Sequence, residues 1–244
     1  MGSKNIEMPF FPHYETELLG NGDANFRITW FESKFSQSHY NIYNKTIGSN
    51  ACTLIAILLA SKCQKYNVII KGPQDNLNIR LIHLLAISML EGNKIHEELK
   101  SNQVLKHLNL NVPEALKYTE THTYNLVEWR SSIYMERLSR SLHENIKNNY
   151  SEWVKLDKAP KENLYVILIA DARTVLFIFQ RKTNTVTLVD SHQHSLDKGA
   201  FITITNQTRL AHLCYWFKEV ARKCYNSDPK LYELSFLHFQ DNKK

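Results

Sequence analysis

Two short segments, far apart in the chain, hold residues whose types and spacing suit chemistry. GSNACTLIAILLASK carries Cys52, and TVTLVDSHQHSLDKGAFITI carries Asp190 and His192. A cysteine in the first turn of a helix meets unpaired amide hydrogens and the positive end of the helix dipole, which stabilise a thiolate at neutral pH. The same amides can donate to a developing oxyanion. Asp190 and His192 alternate along a predicted strand. Both side chains then project to one face, about 7 Å apart at the backbone and within reach of a carboxylate–imidazole hydrogen bond. That bond would orient the ring, support its cationic form and leave the second ring nitrogen for a thiol. The expected chemistry is nucleophilic attack by Cys52 with His192 as its base.

Other readings of the same residues stand beside this one. Cys52 lies inside an apolar helix, where unreactive cysteine is a common core residue. Asp, Ser, His and Gln are also ordinary at an exposed strand end. His194 continues the alternation, so Asp190, His192 and His194 form a candidate three-ligand metal face. Such sites usually draw a further ligand from another element, and the chain has no CxxC or HExxH motif to supply it. Cys63 lies on the helix of Cys52, and Cys214 and Cys224 lie in the last predicted helix. Packing is the expected role of all three, and His83, His107 and His212 read as solvated or packed.

The elements that must position these residues are legible from periodicity. FRITWF (26–31) alternates and reads as a strand. A helix should begin near Asn50, capped by Ser49 or Asn50. Its apolar residues surround the axis, as in a helix buried between layers. NLNIRLIHLLAISML predicts a second helix ending at Gly92, HEELKSNQVLKHL a short third, and VPEALK a helix start with Pro113 at an early position. Residues from Glu128 to Tyr150 are expected as one amphipathic helix, with a break at Pro160. From Leu164 the character changes. YVILIAD, TVLFIFQ, TVTLVD and GAFITIT predict four strands, and TRLAHLCYWFKEVARKCY a closing helix. LYELSFLHFQ reads as another strand or an exposed docking segment. The expected class is α+β: a single domain over 1–244, with a helical lobe at about 77–150 and a sheet lobe at about 160–244.

Composition bounds the setting. A 244-residue chain that is 43% apolar can build a sizeable core. Four cysteines are too sparse for a disulfide framework and no apolar leader opens the chain, so a reducing, intracellular location is expected. Ile6 stands where a myristoylation signal needs Ser or Thr, and Met1 to Ser3 read as a cloning remnant. No apolar run reaches the ~18 residues of a membrane span, which favours a soluble protein with no membrane partner. The net charge of +6 permits weak attraction to nucleic acid. The basic residues are scattered, however, and Arg130, Arg137 and Arg140 read as a solvated helix face rather than a phosphate patch.

NACTLIAILLA followed much later by VDSHQH and GAFITI resembles the papain-like cysteine peptidases in which the carboxylate precedes the histidine by two residues. Among them it is most similar to the ubiquitin-specific proteases of herpesvirus tegument proteins. The likeness covers the two motifs and the order of elements between them. It implies a papain-like fold, with the cysteine-bearing helix packed on an antiparallel sheet and a helical, substrate-binding lobe inserted between. It also implies Cys52 as nucleophile, His192 as general base and acid, and Asp190 as the residue that orients the imidazole. The family places a side-chain amide upstream of the cysteine for the oxyanion. Gln37, Asn41 and Asn44 lie there, with Gln37 preferred on residue type. The implied activity is that of a thiol protease, a deubiquitinase cutting the amide or isopeptide bond after the C-terminal glycine of ubiquitin or a ubiquitin-like protein. No cofactor is implied, and the cytoplasm or nucleus is the expected location. The alternatives are a pseudo-peptidase that binds a protein partner without turnover and, third, a hydrolase using a metal at Asp190, His192 and His194.

Overall fold

A computed structural model describes residues 8–20, 26–41, 49–123, 125–156 and 163–240. Pro160 and the extreme N-terminal residues read above lie outside that range. Among the described residues eight strands form one sheet: β1 (Tyr14–Leu19), β2 (Phe26–Glu32), β3 (Leu126–Tyr134), β4 (Leu164–Ala170), β5 (Arg173–Gln180), β6 (Thr185–Asp190), β7 (Lys198–Asn206) and β8 (Tyr232–Phe239). Their order is β1-β2-β7-β6-β5-β4-β8-β3, and every pair is antiparallel. Five helices accompany them: α1 (Cys52–Lys65), α2 (Ile79–Ser101), α3 (Val112–Tyr118), α4 (Leu138–Val154) and α5 (Leu210–Tyr225). The class is α+β, as expected.

Helices cover both faces of the sheet, which is why its central strands are apolar throughout. Along β4, Tyr165 and Ile167 enter the core under α1, α2 and α3, whereas Leu164, Val166 and Leu168 enter the core under α4 and α5. Each strand feeds two cores by simple alternation. α1 is buried around its circumference from Cys52 to Ser61 because it lies between α2 and the sheet. α4 instead shows one stripe, Leu138, Leu142, Ile146, Asn149 and Trp153, fitting a helix that covers the sheet on one side only.

Three expectations are corrected. Glu128 to Tyr150 is not one helix. Leu126–Tyr134 forms β3, paired with β8, and α4 begins only at Leu138. The apolar residues Leu126, Trp129 and Ile133 suit a helical period as well as a strand, and only the ladder to β8 decides between them. The second helix does not end at Gly92 but runs on to Ser101, absorbing the start of the predicted third helix. Gly92 lets two helices touch: a Cβ there would sit 2.6 Å from Ile55 Cγ1 and 3.2 Å from the Ile55 amide nitrogen. The basic residues around 130–140 share no single helix face. Arg130 lies in β3 and pairs with Glu152 at 2.5 Å, and Arg137 pairs with Asp228 at 3.2 Å.

Candidate active site

Cys52 is the first residue of α1, 4% exposed. The expected cap is absent. Ala51 holds the cap position with no side-chain hydrogen bond, and Ser49 Oγ accepts from the Ala51 amide at 3.1 Å. The first-turn amides of α1 are therefore not consumed by a capping oxygen, which suits an anion at this end of the helix. The thiol feels the His192 side chain and Thr174 as its polar neighbours. Thr174 lies at the start of β5, and its hydroxyl meets that of Thr53 at 2.9 Å. Thr53 in turn donates to the Leu110 carbonyl at 2.9 Å.

Asp190 ends β6, so His192 and His194 lie in the loop beyond it, not on a continuing strand face. This corrects the expected geometry and explains how the site assembles. By alternation Asp190 follows Val186 and Leu188, which belong to the α4–α5 core, whereas α1 covers the opposite face. The loop carries His192 around the end of the strand to meet Cys52. Asp190 Oδ1 accepts from His192 Nδ1 at 2.6 Å and from the His192 backbone N–H at 2.9 Å. With Nδ1 engaged there, Nε2 is the nitrogen left for the thiol. The carboxylate side chain is 1% exposed and the imidazole 13%, so the ring remains reachable from outside.

Electrostatics follow from this contact chain. Burial alone would raise the Asp190 carboxyl, but the charges and hydrogen bonds of two imidazoles outweigh it and hold the group well below the usual carboxylate range. Burial alone would lower His192, yet Asp190 and Cys52 raise it from 6.5 to about 10. Burial would also raise the Cys52 thiol. The His192 bond and charge, together with Thr174, reverse that and bring it below its ordinary value. Burial pushes the other three cysteines upward, Cys63 to about 12. Cys52 is thus the cysteine prepared for thiolate chemistry.

Gln37 also reaches this cluster. Its backbone N–H donates to the Ser191 carbonyl at 2.7 Å, and its side-chain oxygen accepts from Ser191 Oγ at 2.8 Å. One amide hydrogen goes to the Ser49 carbonyl at 3.0 Å. Asn93 donates to the Gln37 carbonyl at 2.7 Å and accepts from Ser49 Oγ at 2.6 Å. Gln37 therefore ties the loop of His192 to the segment that enters α1. Asn41 donates to the His39 carbonyl at 3.1 Å, and Asn44 lies outside the described residues.

The metal reading of Asp190, His192 and His194 finds no support in the donor geometry. His194 Nε2 faces Asp190 Oδ2 at 3.2 Å and its Nδ1 faces the Gly199 carbonyl at 2.8 Å, so neither nitrogen is free for an ion. Sequence reasoning missed Thr174, Ser191 and Asn93. Ser191 stands between two chosen residues and was within reach. Thr174 and Asn93 carry no local signal, since only packing brings them here.

No protein-family model matches the sequence, and no curated protein is significantly similar to it. Among solved structures, the chain is similar to the ubiquitin-specific protease encoded by a murine cytomegalovirus tegument protein, determined in complex with a ubiquitin-based suicide substrate. The TM-score is 0.48 at 13% identity, over 87% of this chain and 87% of that one. It is also similar to the Pseudomonas avirulence protein AvrPphB, with a TM-score of 0.46 at 10% identity over 78% of this chain and 92% of that one.

Proposed function

We propose that the protein is a papain-like cysteine peptidase whose nucleophile is Cys52. One observation carries the reading: a single imidazole, His192, is hydrogen-bonded to a buried carboxylate and acts on a thiol at a helix N-terminus. The proton of the thiol passes to His192 Nε2, and the thiolate attacks a substrate carbonyl. The backbone amides at the start of α1 and the second amide hydrogen of Gln37 are the donors available for the oxyanion. His192 then protonates the leaving amine. Afterwards it takes a proton from the water that hydrolyses the thioester. Asp190 keeps the ring oriented through both steps.

The substrate class we propose is ubiquitin or a ubiquitin-like protein, cut after its C-terminal glycine; the motif resemblance supports this part. Such a substrate implies action inside a cell. Among the described residues, no helix is long and apolar enough to cross a membrane. The test is a ubiquitin carrying a thiol-reactive C-terminal group, with the adduct located by peptide mass mapping. An adduct at Cys52 that is absent from the His192→Ala variant is expected. Alkylation of Cys52 by a small reagent without a ubiquitin adduct would leave a cysteine peptidase of another specificity. Inertness to both would leave a binding module without turnover.

A further inference from the structure

His194 has no part in the thiol–imidazole–carboxylate chain, yet it is among the most enclosed polar groups in the molecule, its side chain 0% exposed. Its two nitrogens face Asp190 Oδ2 and the Gly199 carbonyl. A carbonyl only accepts, and so does an ionised carboxylate. A neutral imidazole has one N–H and can serve only one of them, leaving lone pairs opposed in a dry interior. Both contacts are satisfied if the ring carries two hydrogens. A proton on Asp190 Oδ2 would also satisfy them. The His192 ring on the other oxygen argues against it, because its charge beside the carboxyl holds Asp190 ionised.

The surroundings close the imidazole off from water. The rings of Phe201, Trp30 and Tyr225 lie around it at centroid distances of 4.8, 5.2 and 5.4 Å. Other charged or titratable groups come from three elements. Arg173 of β5 lies over the Tyr225 ring at 3.8 Å, and Lys198 of β7 lies over Trp30 at 4.9 Å. Cys224 and Tyr225 come from α5, and burial pushes both upward, so both stay neutral.

We propose that His194 is a positioning residue of this site, a doubly protonated imidazole that holds the second oxygen of Asp190 and stays charged while His192 exchanges its proton. The proposal rests on the peptidase reading for its role in turnover, not for the charge itself. With Cys52 as thiolate, Asp190 as carboxylate and both imidazoles protonated, the buried cluster is neutral. When His192 delivers its Nε2 proton to the leaving amine, its Nδ1–H stays on Asp190. The carboxylate then keeps one cationic partner in His194. No bond at His194 forms or breaks.

Two measurements decide it. The first is nitrogen-15 NMR of the histidine rings in the intact protein at neutral pH, with the His194 signals assigned by through-bond correlation to its own backbone. Two ring N–H groups are expected on His194; a ring with one protonated nitrogen would overturn the proposal, whatever the protein's activity. The second is the pH profile of Cys52 alkylation in His194→Gln, which keeps a donor but loses the charge. Removing a cation disfavours the neighbouring anions, so the acid limb should move up by about one pH unit. An unmoved limb in a folded variant would reduce His194 to a packing residue. A variant that does not fold leaves the decision to the first measurement. Inertness of Cys52 to both the ubiquitin probe and a small alkylating reagent, with two N–H groups present on His194, would remove the peptidase reading and leave the charge assignment standing.

Discussion

At the residue scale, the site is a chain of hydrogen bonds whose members set one another's charge. Cys52→Ala and His192→Ala should each abolish turnover, and Asp190→Asn should lower kcat by up to about 10⁴ through misorientation of the imidazole, read from steady-state kinetics. Stability should follow the same groups. The raised His192 contributes stability that is full below about 6.5 and is lost as pH rises through about 10. The depressed Asp190 contributes stability above its ordinary 3.8 that is lost only as pH falls well below it. Urea midpoints measured across pH should show an alkaline decline that is shallower in His192→Ala than in the parent.

Element-scale behaviour turns on close contact between α1 and α2. Gly92 admits the backbone of Ile55, so Gly92→Ala should destabilise by roughly 1–3 kcal/mol from overpacking, despite alanine's better helix propensity. Equilibrium denaturation measures the loss. If propensity governed instead, the variant would gain stability. The same contact bears on the site, because α1 presents Cys52 at its uncapped end and Asn93, next to Gly92, bonds both Gln37 and Ser49. Some loss of Cys52 reactivity should accompany the loss of stability.

On the scale of the whole molecule, the C-terminal strand β8 lies between β4 and β3. A protein ending at Asn226 would expose one edge of β4 and deprive β3 of its partner. Such a chain should aggregate, with light scattering and circular dichroism as the readouts, since unpaired inner strands are templates for association. Antiparallel pairing also brings the start of β5 beside the end of β6. Continuing the register of Leu176 with Val189 places Thr174 opposite Ser191, one residue from His192. The site therefore sits where two adjacent strands and the N-terminus of α1 come together at one end of the sheet.

Much of this was legible from residue order. Four apolar runs after Leu164 and an apolar helix opened by a cysteine were enough to anticipate strands β4 to β7 and α1, because each depends on local pattern, and Cys52, Asp190 and His192 stood out by type and spacing alone. Long-range contact decided the rest. β3 is a strand because β8 pairs with it, Gly92 continues a helix because Ile55 needs the space, and Thr174 and Asn93 reach the thiol's surroundings only through packing. His194 was visible as a residue but not as a donor to Asp190. Its two acceptors and three aromatic neighbours come from β2, β6, β7 and α5, and only the assembled sheet with α5 packed on it brings them to one imidazole.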